Sequence, residues 1–520
     1  MPTLTRPFFG LWVRSTCVVF VLCVGWSLAT PLGGAPDEPA QIVKAVATVH
    51  GELLGQPTPG KSAATRTFEV PSVFQSIYSL PTCYQFKATV PAGCAPTLPS
   101  GNRLVPVTSY VGRYPPLYYA VVGLPSLFTH SENVIYFMRL LSDLFDALLL
   151  GAALAVAATW CRRSMMFEGL ALAVSPLVFF YCGVVNPSGF EMAGAICVWT
   201  SGLALLQQRR DNPPRLLIAI FTTSGCLLEL TRGLSVLWMA LALLSLFMLD
   251  PHACRRLVAN RTLQRGLAIL GVVAVIAVAY VEWARTLEIV PSTAQLPPHS
   301  SIAHISQVIL GDLGGYIQQL IGVFGWLDTP SPLLTVVLWL SGLGFVVLLA
   351  LVASRSRQSK VLLGLIVGSV LVTMGILLVS AGANNIAWQA RDGFPLYVGI
   401  PLVAGAILPR ASSFALSSMT GRRVAIMFAL VVGVSQLTDF LWALRRNTVG
   451  LGSTLNLFGA VRHGWSPPLG TIAIVIAGTI AVLTYAGWLY RAIHRRDSVE
   501  PGLVKTRIGE PKSAMVRANH

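Results

Sequence analysis

Asp37 and Glu38 stand side by side directly after an apolar stretch, Ser15 to Pro36, that runs 22 residues without a charge. A carboxylate pair placed where a chain leaves a bilayer can take a proton from a bound hydroxyl or grip a cation. The plainer reading is a helix cap, because two acids at the start of the next helix would satisfy its N–H groups and its dipole. Position alone leaves these readings level. Three arginines complete the set. Arg139 lies inside the apolar run 134–160, Arg232 opens the run 233–249, and Arg391 precedes the run 395–408. Guanidinium groups stay charged at any accessible pH and bind phosphate oxygens in pairs. Lipid phosphates sit at the membrane depth where these arginines fall. Each has an alternative: Arg139 is four residues before Asp143 on one helix face, and Arg232 and Arg391 could snorkel to the interface. Tyr118, Tyr119, Trp326, Trp388 and Trp465 could stack on a sugar ring, although interfacial belts use the same residues.

The elements that position these residues follow from composition. Of 520 residues, 54% are hydrophobic and only 11% charged, whereas a soluble chain carries roughly a quarter charged. The chain is therefore read as an all-α polytopic membrane protein, because only helices with internally paired backbones cross a bilayer in such runs. About twelve apolar segments recur, the first at Phe9–Thr30, the second at Val134–Trp160 and the last at Pro468–Tyr490. Between the first two lies a loop, residues 31–133, rich in Pro, Gly, Ser and Thr. It contains two candidate interfacial helices, Pro39–Leu54 and a piece ending near Phe128 that opens with Tyr114-Pro115-Pro116-Leu117-Tyr118-Tyr119. The net charge of +16 does not point to nucleic acid, because the arginines cluster in short loops between apolar runs. With the N-terminus cytoplasmic, six of seven loop clusters fall on the cytoplasmic side, and only Arg445-Arg446 falls outside. Both termini are then cytoplasmic, with the 31–133 loop, Asn186 and the three arginines on the outer face. Residues 411–496 continue as C-terminal membrane helices, and 497–520 form a polar, disordered tail.

Several chemistries find no motif. There is no phosphate-binding glycine loop, Gly-x-Ser-x-Gly elbow or His-Glu-x-x-His helix, and His299, His304 and His463 follow no ligand spacing. Of nine cysteines, seven lie in or beside apolar segments as packing residues. Cys83 and Cys94 lie in the polar loop with ten residues between them, and an oxidising compartment would join them.

An N-terminal span, then Pro36-Asp37-Glu38-Pro39, then Tyr114-Pro115-Pro116-Leu117-Tyr118-Tyr119, then Arg139-Leu140-Leu141-Ser142 resembles the opening of the GT-C glycosyltransferase superfamily. The chain is similar in particular to the bacterial membrane family called domain of unknown function 2142. The likeness extends through Phe324-Gly325-Trp326-Leu327-Asp328-Thr329-Pro330 and Gln389-Ala390-Arg391, so residues 1–410 form the GT-C-like module. Gln41 stands where that family usually has histidine. Asp392-Gly393-Phe394 replaces Tyr-Phe-Leu before Pro395. The resemblance implies transfer of a sugar from a polyprenyl-phosphate donor to a cell-envelope glycan or lipid acceptor at the outer face of the bacterial plasma membrane. It makes Asp37 the base and Glu38 its helper, with or without a divalent cation (Mg or Mn) held by both. Arg139, Arg232 and Arg391 would hold the phosphate, beside Tyr118 and Tyr119. Two other functions remain open, a transporter or flippase of lipid-linked sugars and a non-catalytic partner in envelope assembly. One expectation is independent of all three: peptides carrying Cys83 and Cys94 should run as one species in non-reducing mass spectrometry and separate on reduction.

Overall fold

Long apolar runs fold here as helices whose ends gather the polar residues. The computed structural model describes residues 5–61, 64–161, 164–208, 212–286, 306–307, 310–380, 389–408, 418–452 and 464–497. His299, His304, Trp388, His463, the tail from 498, and the arginine pairs at 162–163 and 209–210 lie outside the described residues. Among the described residues, eight helices are long and apolar enough to cross a membrane, or nine if one sharply bent pair is counted as a single span. They are α1 (Thr5–Ala29), α5 (Val134–Trp160), α8 (Pro187–Leu206), α12 (Arg261–Thr286), α14 (Leu333–Ala353), α15 (Ser356–Ser380), α18 (Ser418–Thr448) and α19 (Thr471–Asp497). The protein is thus a helical, multi-pass membrane protein. Other apolar segments form shorter or broken helices. These are α6 (Met166–Ala173) followed by α7 (Pro176–Cys182), α9 (Arg215–Glu229), α10 (Ser235–Leu249) bent into α11 (Pro251–Val258), and α16 (Ala390–Tyr397) followed by α17 (Gly399–Ile407). Pro176 sets the α6–α7 break, since it opens α7 at a position that needs no N–H. The core lies along α1, α5 and α8. α8 is almost wholly covered by its neighbours, whereas α12, α14 and α15 keep most of their apolar surface outward. Gly151 allows close contact between α5 and α1, because a Cβ there would meet Thr16 Oγ1 at 2.3 Å.

The loop 31–133 differs from the expected pair of interfacial helices. α2 (Glu38–Val49) is buried from Glu38 to Thr48. It lies under an antiparallel sheet of β1 (Gln56–Pro57), β2 (Arg66–Pro71) and β3 (Leu104–Ser109), and against α4 (Leu117–Val122). The sheet has a period-two signal, with Phe68, Val70, Val105 and Val107 turned inward and Glu69, Leu104 and Pro106 outward. β2 pairs with β3 from Arg66 opposite Ser109 to Pro71 opposite Leu104. Lys44, fully buried on α2, donates to the carbonyls of Leu53 and Gly112 and lies over the Phe68 ring. A helix lying in a bilayer interface would expose one face; α2 is instead the floor of a small folded cap.

The exceptional Arg445-Arg446 pair also has a structural account. Arg446, in the last turn of α18, is buried and ion-paired with Asp328. It donates to the carbonyl of Tyr84 at 2.8 Å and of Val90 at 3.3 Å. It thereby fastens the segment bracketed by the Cys83–Cys94 disulfide to the helical bundle. A buried, paired arginine is not a solvated loop charge, so it falls outside the positive-inside count. Arg446→Met should leave Asp328 buried and unpaired at a cost of about 3 kcal/mol. Thermal unfolding in detergent should show a lowered midpoint, largely restored in D328N/R446M.

Candidate functional site

The chain leaves α1 through the turn 30–37, which is pinned from three sides. Arg139 takes the Pro31 carbonyl at 2.8 Å, Trp326 the Gly33 carbonyl at 3.0 Å, and Asn186 the Pro36 carbonyl at 3.0 Å. Held this way, Asp37 adopts a left-handed backbone (φ 67°), a conformation that Asp tolerates better than most residues. Its side chain makes no capping bond to α2, so the cap reading does not describe it.

The two adjacent acids part company at this point. Glu38 is fully buried and chelated by Arg139, with Nε–Oε1 at 2.7 Å and Nη2–Oε2 at 2.8 Å. Glu38 Oε1 also accepts from the Val185 amide at 3.1 Å. Arg139 spends its remaining donors on the carbonyls of Ser27 (2.9 Å), Thr30 (2.7 Å) and Pro31. Asp37 points the other way. Its Oδ1 accepts from the Tyr110 hydroxyl at 2.8 Å, and its Oδ2 pairs with Arg391. Its side chain stays 26% exposed, against 0% for Glu38. Burial works to raise the Asp37 pKa. The Arg391 charge, the Tyr110 and Arg391 hydrogen bonds and the Arg232 charge outweigh it, and hold the carboxyl below its ordinary value.

Arg391 comes from the first turn of α16. Its Nη1 donates to the Tyr181 hydroxyl at 3.0 Å, its guanidinium lies 5.0 Å from the Tyr181 ring centre, and its buried Nε has no hydrogen-bond partner. Beside it, Arg232 bonds Asp392 at 2.8 Å, Glu191 at 3.2 Å and the Tyr114 hydroxyl at 3.4 Å. Glu191 also accepts from Ser235 at 2.6 Å. Arg232 and Arg391 thus share one polar cluster with Asp37, and both remain charged because acids and phenols surround them.

Not all residues picked from the sequence reach this surface. Arg139 and Glu38 are a buried structural pair. Tyr118 and Tyr119 are core residues, with the Tyr118 hydroxyl 2.8 Å from Ser142 Oγ and Tyr119 donating to Gln41 Oε1 at 2.5 Å. Gln41 is therefore an internal hydrogen-bond acceptor. These four face protein on all sides and offer nothing to a substrate. Nor does the donor set fit a metal held by both acids. Glu38 is turned into the bundle onto Arg139 while both Asp37 oxygens are engaged elsewhere, and no cluster of three acidic, Cys or His ligands occurs among the described residues. Tyr110, Tyr114, Tyr181 and Glu191 were not singled out from the sequence. Glu191 did carry a signal, a lone acid inside the apolar run after Asn186, and Tyr114 opens the Tyr-Pro-Pro-Leu-Tyr-Tyr motif; Tyr110 and Tyr181 carried none.

A family model described as predicted membrane protein (DUF2142) matches residues 20–400. The chain belongs to the DUF2142 family. None of the curated proteins matches it. The matched region contains every residue of the candidate site, from Asp37 through Arg232 to Arg391, and also Trp326 and Asn186, which pin the turn. If Glu38 and Arg139 act as a structural unit, their effects should be strongly coupled. Glu38→Gln and Arg139→Met should each cost about 3–5 kcal/mol, and the double variant at least about 1 kcal/mol less than their sum. Asp37→Asn should move the unfolding midpoint far less, since Asp37 is itself partly exposed and an asparagine there can still hydrogen-bond Tyr110 and Arg391.

Proposed function

We propose that this protein is a GT-C-type glycosyltransferase that moves a sugar from a polyprenyl-phosphate donor to a cell-envelope glycan or lipid acceptor, with Asp37 as the base. The observation that carries this reading is the partly exposed carboxylate of Asp37 held against Arg391, with the Arg232 charge close enough to act on the same acid. In the reaction, Asp37 takes the proton of the acceptor hydroxyl. The acceptor oxygen attacks the anomeric carbon, and the bond from that carbon to the phosphate oxygen breaks. The electron pair leaves on the phosphate, where Arg391 and then Arg232 stabilise it. In the resting pair Asp37 is a weak base, because Arg391 holds it ionised. A donor phosphate competing for Arg391 would loosen that pair and raise the basicity of Asp37, so donor binding would arm the base.

The reading takes the chain as twelve crossings of the bacterial plasma membrane, with both termini cytoplasmic and the site outside. The helix ends support it: α1 and α18 finish at the site end, joined by Asn447 donating to the Ala29 carbonyl, while α5 and α16 begin there with Arg139 and Arg391. A transporter or flippase of lipid-linked sugars is the second reading. It draws on Asp143 and Asp146, three residues apart and fully buried in α5 beside Ser27 and Cys182.

Purified protein should transfer sugar from a polyprenyl-phosphate donor, and Asp37→Asn should lower the rate by about 100-fold or more. Full transfer by that variant would sink the assignment of the base. Arg391→Ala should weaken donor binding more than acceptor binding. Loss of vesicle transport in D143N/D146N, with no sugar transfer by the native protein, would favour the second reading.

A further inference from the structure

We infer that a groove between α10 and α15, at the end of the bundle away from Asp37, binds an anionic glycerophospholipid. This inference does not rest on the glycosyltransferase reading. The groove is a cavity of about 710 Å³, open to the side and walled by Leu241, Leu244 and Met248 of α10. Its floor is α15, where Lys360, Gly364, Gly368 and Val372 recur every four residues and so lie on one face. A Cβ added at Gly364 or Gly368 meets no heavy atom within 4 Å. Glycine at these positions leaves a channel where larger residues would fill it.

Charge is confined to one end of this channel. Arg357 and Lys360 are exposed in the first turns of α15, and Arg357 Nε donates to the Met248 carbonyl at 2.8 Å. Two cations and the N-terminal amides of a 25-residue helix favour a phosphate there. The position selects the occupant. α10 begins at Ser235 beside Arg232, and Met248 lies 13 residues on, about 20 Å along the axis. That separation puts Arg357 and Lys360 at the opposite side of the membrane from the Arg232 and Arg391 cluster. A phospholipid of the opposite leaflet puts its phosphate at Arg357 and Lys360 and lays one acyl chain along Gly364 and Gly368.

The test uses the full chain in detergent, titrated with phosphatidylglycerol or phosphatidylcholine and read by native mass spectrometry. Phosphatidylglycerol should be retained over phosphatidylcholine. Arg357→Gln with Lys360→Ala should lower its retention about tenfold. Gly364→Leu with Gly368→Leu should lower retention with both charges intact. Arg422→Ala with Arg423→Ala, which removes exposed charges elsewhere on that end, should leave retention unchanged. Should replacing Arg357 impair folding, Lys360→Ala alone and the glycine variants still read the groove. Equal retention in the Arg357 and Lys360 variants, an equal loss in the Arg422 and Arg423 variant, or one-for-one displacement by a polyprenyl phosphate would overturn the proposal.

Discussion

The buried Glu38–Arg139 pair is the constraint on which the site end of the bundle depends. A helix that stops inside a membrane protein leaves its last carbonyls without partners, and in apolar surroundings each orphan is expensive. α1 ends this way, and Arg139 supplies donors to Ser27, Thr30 and Pro31. A guanidinium fully removed from water needs an opposite charge, which Glu38 provides through two hydrogen bonds. Glu38 also fixes the turn between α7 and α8 through the Val185 amide. One ion pair thus joins the end of α1, the start of α2, the first half of α5 and the α7–α8 turn. Like other buried pairs, it adds less net stability than it adds definition, but losing either partner strands the other.

The consequence for chemistry lies in the neighbouring residue. With Glu38 directed inward, helical geometry and the pinned turn send Asp37 outward, toward Tyr110 and Arg391. The arginines then divide by what surrounds them. Arg139 is saturated by five acceptors, Arg232 is shared between Glu191, Asp392 and Tyr114, and Arg391 keeps an uncommitted Nε. Arg139 therefore has no donor left for a ligand, which leaves Arg391 and Arg232 as the candidate cations of this cluster. Asp392 balances Arg232 and also accepts from the Gln389 backbone amide at 3.2 Å.

The cap over the site is built on the same economy of polar groups. Its three-stranded sheet covers α2, the Cys83–Cys94 disulfide closes its flank, and Arg446 ties that flank to α18. These long-range ties let a Pro- and Gly-rich loop hold Asp37 in one place, because the backbone carbonyls of the loop serve as acceptors for side chains rooted in the membrane helices.

By itself the sequence determined the class of the protein and marked most of the charged residues of the candidate site. Apolar runs of bilayer length leave no other fold class, and a charge inside or beside such a run must have a partner or a function, which marked Asp37, Arg232 and Arg391. The disulfide was legible because only Cys83 and Cys94 lie in a polar loop. The sequence did not separate Asp37 from Glu38, or Arg139 from Arg391, since each pair is alike in type and in position relative to an apolar run. Tertiary structure decided that, through pairings across 101 residues for Glu38 with Arg139 and 354 for Asp37 with Arg391. Local pattern reports which residues need partners. Which partner each one receives depends on helix ends brought together by packing, and that packing sends one acid into the bundle and leaves its neighbour at the surface.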